Sequence, residues 1–291
     1  MAKNEIAELR KPDGAKIMSI KQNLFYRSQA AIDNYENFDW HHYSDMNNSS
    51  QALAIDFWGC LKQSPLKVPI INMLFGKECE SWKISLEFTE KSLMSEIRPT
   101  QIDVLIDNEH HAIIIESKFT ESDGGKCSQT KKTKHFDYQC NGKYENQTNP
   151  VNKINSKCAL TGKGIKYWDI ISTLTSFDEN ETYPLCPFRG VEFQWMRNIC
   201  FAEAYSKQYG LKSDCYLVYY KSNKCPISKK IDNDIYLGKL KGNILNPQSF
   251  QPLEYNDLLG KIIDFLNGVD INEQRVWTEL KDWMSDKELK L

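Results

Sequence analysis

The sequence predicts an α/β (α+β) fold in which a helix precedes a three-stranded meander, and a second helix leads into a further strand. Three observations carry this expectation. The stretch 101–121 (QIDVLIDNEHHAIIIESKFTE) holds two apolar runs, 102–106 and 112–117, around a polar turn at 108–111. Just before it, residues 82–89 (WKISLEFT) alternate as a half-buried strand does. On either side lie segments with apolar residues at helical spacing, 47–61 and 190–209, and the second of these runs into the apolar stretch 215–220 (CYLVYY).

Taken in order, residues 1–48 form a helical or irregular lead-in rich in Asn, Tyr and charge. Its conspicuous string is FDWHH at 38–42, but neighbouring histidines rarely point at one ion, so His41 and His42 are expected at a surface or interface. Residues 47–61 (NNSSQALAIDFWGCL) begin with cap-forming side chains and continue with Leu53, Ile55, Phe57, Trp58 and Leu61 at helical spacing. The first strand, 82–89, carries Glu87, which either faces solvent, the commoner place for such a residue, or reaches a metal held at the hairpin.

The hairpin is the chemically loaded element. Its second strand is a continuous aliphatic run, as expected of a strand covered on both faces, yet it ends in Glu116-Ser117-Lys118, and the first strand carries Asp103. Buried charges are costly unless they neutralise one another or hold a cation. Side chains alternate along a strand, so Glu116 and Lys118 share a face. If the turn pairs Asn108 with His111, partner positions sum to 219 and Asp103 falls opposite Glu116. Two carboxylates and an ammonium then converge on one patch. Oxygen ligands of this kind suit Mg²⁺, and the lysine could orient or deprotonate a water for attack on a phosphodiester. A salt-bridged hairpin end explains the same letters without chemistry.

Asp103, a gap of twelve residues, then Glu116-Ser117-Lys118 resembles the motif of the PD-(D/E)XK nuclease superfamily. Arg98-Pro99-Thr100 stands where that family usually has its Pro-Asp pair. The resemblance implies a restriction-endonuclease-like αβββαβ core and a Mg- (or Mn-) dependent DNA nuclease. It makes Asp103 and Glu116 metal ligands, helped by the backbone carbonyl of residue 117, with Lys118 beside the attacking water. Family members often place an acid on the helix before the sheet, and Asp56, near Ser50 and Gln51, is the candidate here. RecB-like members carry a glutamine in a Q-x-x-x-Y pattern on the helix after the hairpin. Gln194 matches it, with Asn198 in place of the tyrosine, and Arg197 is a candidate phosphate contact. The implied role is an endonuclease of restriction or defence. The alternatives are a RecB-like repair exonuclease and a catalytically inactive DNA-binding module of the same fold.

The 291 residues suit one large domain or a domain with an appendage, and the net charge of −2 announces no global basic field. Lysines cluster locally, however, at Lys126, Lys131, Lys132 and Lys134 and again at Lys157, Lys163 and Lys166. Lys131, Lys132 and Lys134 are the expected DNA contacts; a solvated loop is the alternative. No apolar stretch reaches membrane-span length, and no membrane partner is expected in what reads as a cytoplasmic chain.

Nine cysteines are present. Cys60, Cys200 and Cys215 lie within apolar elements and read as core residues. Cys127, Cys140, Cys158 and Cys186 lie in turn-rich segments of a long polar insertion, 120–188, where four thiolates could hold Zn²⁺ or a [4Fe–4S] cluster. No two of them form a C-x₂-C pair, and free thiols are the alternative.

Beyond 221 the pattern from 222 to 245 is weakly strand-like around Ile235, Tyr236, Leu237 and Gly238. Residues 254–266 and 272–284 read as amphipathic helices. The expected organisation is a lead-in at 1–48, a nuclease core at 49–221 with its insertion, and a C-terminal helical appendage at 222–291. That appendage packs on the core and is a candidate to shape a DNA groove or a homodimer contact.

Overall fold

The aliphatic run of the hairpin becomes the central strand of a five-stranded sheet. In a computed structural model, which describes residues 14–32, 40–96, 98–130, 159–171, 174, 192–242, 244–246 and 250–291, strands β1 (Lys83–Thr89), β2 (Gln101–Asp107), β3 (His111–Lys118), β4 (Lys212–Tyr219) and β5 (Phe250–Glu254) lie side by side in that order. β1, β2 and β3 form the antiparallel meander, whereas β3–β4 and β4–β5 are parallel pairs. Strand β3 is therefore paired on both edges and covered on both faces, and every residue from Ala112 to Lys118 is buried. The turn closes as the spacing requires: Asn108 N–H donates to His111 O at 2.9 Å. The Asn108 side-chain oxygen accepts from the backbone N–H groups of His110 and His111, each at 2.8 Å, an Asx turn. The ladder runs in the 219 register, from Asp107↔Ala112 to Val104↔Ile115.

Helices, in chain order, are α1 (Gly14–Gln22), α2 (Tyr26–Gln29), α3 (Ser50–Ala54), α4 (Cys60–Gln63), α5 (Lys67–Phe75), α6 (Ala159–Gly162), α7 (Tyr167–Ile171), α8 (Phe193–Tyr209), α9 (Pro226–Ile231), α10 (Asp234–Gly242), α11 (Tyr255–Leu266) and α12 (Ile271–Leu289). A π-helical turn, Ile55–Gly59, joins α3 to α4. Ser49 caps α3 by accepting from Ala52 N–H at 3.1 Å, as the Asn-Asn-Ser-Ser run predicts. The α3–α4 helix, α11 and α12 cover one face of the sheet, where Phe57, Trp58, Tyr255 and Trp277 pack with Ile84, Val104, Ile113 and Ile115. On the other face α8 packs Trp195, Ile199, Cys200 and Phe201 against Leu105, Ile114, Cys215 and Leu217. Helix α8 stops at Gly210, whose φ of 68° is left-handed. Two residues on, Lys212 begins β4 with its N–H on His110 O.

One reading of the C-terminal third needs correction. The stretch 222–245 carries two helices, α9 and α10, where the sequence pattern predicts a strand around 235–238. Asn233 accepts from the N–H groups of Ile235 and Tyr236 at 3.0 and 3.1 Å, a side-chain cap that starts α10 despite its β-forming residues. The strand of this region lies later, at β5, which pairs with β4 from Cys215↔Phe250 to Tyr219↔Glu254. Residues 222–291 thus contribute a strand to the sheet and two helices to its first core.

At one level of the meander the alternation of faces breaks. Leu86 and Val104 pack in the first core, whereas Phe88 and Ile102, two residues away on each strand, pack with the second. Between them lie Glu87 and Asp103, opposite one another in the 190 register that β1 and β2 keep on either side. Glu87 has a φ of 51°, a backbone conformation uncommon for a residue other than glycine.

Candidate active site

The site is built where β2 and β3 part. Paired residues end at Val104↔Ile115. One position further, the Asp103 carboxylate takes up the strand's hydrogen bonding: Ser117 N–H donates to Asp103 Oδ2 at 2.7 Å. The face swap at this level accounts for the insertion of a side chain where a ladder carbonyl would otherwise lie. Asp103 keeps part of its surface open, while Glu116, Ser117 and Lys118 are 3, 1 and 4 % exposed.

Glu116 and Lys118, two residues apart on β3, form a buried ion pair with Nζ 2.6 Å from Oε1. The other carboxylate oxygen accepts from Asn198 Nδ2 of α8 at 2.5 Å. Burial opposes ionisation of Glu116, but Lys118, Arg197 and the Asn198 hydrogen bond outweigh it and hold its pKa below the usual carboxylate range. Burial also disfavours the Lys118 ammonium, yet Glu116, Glu121 and Asp103 together raise its pKa. Asp103 goes the other way. Burial and the Glu116 charge push it up to about 8, against the opposing pull of Lys118 and the Ser117 N–H. The site therefore holds one firmly ionised carboxylate, one ammonium, and a second carboxylate whose ionisation is resisted by the first.

The structure brings Asp103, Glu116 and Lys118 together, as their spacing predicts. It adds two residues that sequence reasoning passed over. Glu121 curls back three residues beyond Lys118, accepts from Ser50 Oγ, and takes Phe119 N–H at 2.9 Å. Asn198, fully buried, is the α8 residue that bonds Glu116. Its signal was present: a polar residue inside the apolar stripe of Trp195, Ile199 and Ala202, one helical turn beyond Gln194. Gln194 itself occupies the first turn, where its N–H bonds Gly124 O at 2.8 Å and its side chain lies over Gly125. Arg197 has its guanidinium 5.7 Å from the Phe193 ring centroid and a buried Nε with no acceptor among the described residues.

Other candidates lie elsewhere. Asp56 is fully buried on the π-helical turn, where it accepts from Phe25 N–H at 2.6 Å, Trp283 Nε1–H at 2.9 Å and Lys287 Nζ at 2.6 Å. Gln51 holds the lead-in through His41 N–H and Ser44 Oγ. Cys60, Cys200 and Cys215 are core residues, and Cys127 is buried too. Cys140, Cys158 and Cys186, like Lys131, Lys132 and Lys134, lie outside the described residues.

Among the described residues no three His, Cys, Asp or Glu side chains gather into a metal-binding group. The donor set at Asp103 and Glu116 nonetheless fits a hard cation such as Mg²⁺, which commonly takes one or two carboxylates and completes its shell with water and substrate oxygens. Asn198 Oδ1 is buried beside Glu116 with no hydrogen-bond donor among the described residues. Among the described residues no helix is long and apolar enough to cross a membrane.

Residues 14–282 match the model of a protein family described as Restriction Endonuclease associating with ARP. No curated protein and no solved structure matches the chain.

Proposed function

From a chain that belongs to the family Restriction Endonuclease associating with ARP, we propose a metal-dependent DNA nuclease of the PD-(D/E)XK type that cuts within DNA in restriction or defence. The observation that carries the reading is the buried Glu116–Lys118 pair with the Asp103 carboxylate pinned beside it on the Ser117 N–H. An ion pair of purely structural purpose has no use for a second carboxylate held in the same buried patch, where burial and the Glu116 charge resist its ionisation. Asp103 and Glu116, with the backbone carbonyl of residue 117, are the groups that would hold Mg²⁺ or Mn²⁺. Bound there, the ion would stabilise charge developing on the scissile phosphate.

The chain's own residues have separable parts. Lys118, with its raised pKa, stays protonated, so its role is to donate hydrogen bonds to the attacking water or the phosphate and not to remove a proton. Asn198 keeps Glu116 oriented and ionised. Arg197, half-buried at the same end of α8, offers its guanidinium to a phosphate, and Gln194 is proposed to order water at the adjoining rim. Lys131, Lys132 and Lys134 are proposed to follow the DNA backbone. Neutralising all three should weaken binding and flatten its salt dependence by about three counterion contacts; unchanged affinity across salt would remove them from the interface. Cys127, Cys140, Cys158 and Cys186 are proposed to share Zn²⁺ or an iron–sulfur cluster, which elemental analysis would detect and four freely titrating thiols would refute. The family description also names an association with ARP, which we carry to this chain as a proposed association.

The test is incubation of the purified protein with supercoiled, linear and single-stranded DNA in Mg²⁺ or EDTA. Linear or nicked products from closed circles, in Mg²⁺ only, are the expected result. Degradation confined to free ends would favour the RecB-like exonuclease, and binding without cleavage would reduce the chain to a DNA-binding module.

A further inference from the structure

We propose that Tyr255, the first residue of α11, is a positioning residue of this site: its hydroxyl fixes Ser117, the residue between Glu116 and Lys118. The inference rests on the nuclease reading. Tyr255 is fully buried among aromatic side chains, with the Phe57 ring centroid 5.1 Å away. A phenylalanine would fill the same space, so packing alone does not call for the hydroxyl. That hydroxyl has two partners, Trp58 Nε1 at 3.1 Å and Ser117 Oγ at 2.8 Å. An indole N–H only donates, so the tyrosine oxygen accepts from Trp58 and its own proton is available to Ser117.

Ser117 needs an anchor because the ladder between β2 and β3 has opened by its level. Its N–H is held by Asp103 Oδ2, its side chain by Tyr255, and its backbone on the far side by pairing with Val218. Tyr255 thereby sets the orientation of a residue whose N–H bonds the Asp103 carboxylate and whose backbone joins Glu116 to Lys118. Groups that orient metal ligands in this way are commonly worth about 10- to 100-fold in metal affinity or rate.

The experiment is Tyr255→Phe, read by Mg²⁺ calorimetry without DNA and by cleavage kinetics. The expected result is a loss of about tenfold or more in Mg²⁺ affinity and in kcat, with KM for DNA unchanged. Ser117→Ala should give a similar loss, and the double variant no further one, since both remove the same contact. Trp283→Phe, which removes a part-buried indole hydrogen bond to Asp56, controls for stability and should leave Mg²⁺ affinity and kcat alone. Wild-type Mg²⁺ affinity and kcat in Tyr255→Phe would overturn the inference, as would an equal loss in Trp283→Phe. A wild-type protein that neither binds Mg²⁺ nor cuts DNA would overturn the nuclease reading itself and this inference with it.

Discussion

Two buried lysine–carboxylate pairs stand on opposite sides of the sheet's first core layer, and both have a nitrogen–oxygen distance of 2.6 Å: Asp56 with Lys287, and Glu116 with Lys118. Their surroundings differ. Asp56 accepts from a backbone N–H, an indole N–H and the ammonium, and Lys287 donates in addition to Asn23 O at 2.6 Å. One positive charge meets one negative charge, and each has its hydrogen bonds. This pair ties the π-helical turn to the lead-in and to α12, and it reads as a latch. The Glu116 pair has Asp103 and Glu121 in its field as well, with Arg197 as the further cation. It also has an acceptor, Asn198 Oδ1, without a donor among the described residues. On the nuclease reading, the crowded carboxyl groups and the acceptor left unpaired among the described residues are what a bound cation and substrate would complete, whereas the latch has its partners already.

The largest expected effect breaks the comparison on the chemical side. Asp103→Asn should abolish cleavage in gel assays while leaving the fold at least as stable in EDTA as the wild type, because it removes a carboxyl group that the folded chain keeps protonated against its ordinary tendency to ionise. Lys118→Ala should slow cleavage by about 10²- to 10⁴-fold, the range for a lost group that positions water or a proton. At the latch the order reverses. Asp56→Asn leaves the Lys287 charge buried without its counterion and should cost about 3–5 kcal/mol in denaturant unfolding. Below its lowered Tm, that variant should still cut.

A second contrast is pH dependence. Asp103 is raised from its ordinary 3.8 to about 8 in the folded chain. Between those values the native state holds a proton that the unfolded state has released. The stability from this group is therefore full below about pH 4 and is lost as pH rises through about 8. In EDTA, thermal unfolding should show this decline in the wild type and its loss in Asp103→Asn, and Mg²⁺ should offset it. An identical decline in the variant would assign it to another group.

The smallest effect sharpens the Glu116 side. Asn198→Ala removes a donor that helps to depress the Glu116 pKa. The acid limb of the pH–rate profile should then move upward, with a loss of stability of about 1.5–3 kcal/mol for a hydrogen bond to a charged group. An unmoved limb would confine Asn198 to packing.

What could be read from sequence divides along a physical line. The hairpin was legible because its evidence is local: an Asn at the turn, an aliphatic run and a period of two set the register that the ladder keeps. The convergence of Asp103, Glu116 and Lys118 followed from it. The face swap at Glu87 and Asp103 was not legible, because it depends on how two strands part and which core each side chain then enters. Strand β5 was hidden as well: five residues, FQPLE, with a proline and only Phe250 buried, become a strand by pairing with the open edge of β4. Helix α10 was misread from Ile235 and Tyr236 because the deciding contact is the Asn233 cap. Asp56 looked like a site acid on its helix; its partner Lys287 lies 231 residues away, beyond any local pattern.

The most direct measurement of the difference between the two pairs is cleavage of closed circular DNA in Mg²⁺ by the wild type, Glu116→Gln and Asp56→Asn, at a temperature where all three are folded by circular dichroism. Nicked or linear DNA should form with the wild type and with Asp56→Asn, and none with Glu116→Gln. Cleavage by Glu116→Gln at the wild-type rate would contradict the assignment of the active site.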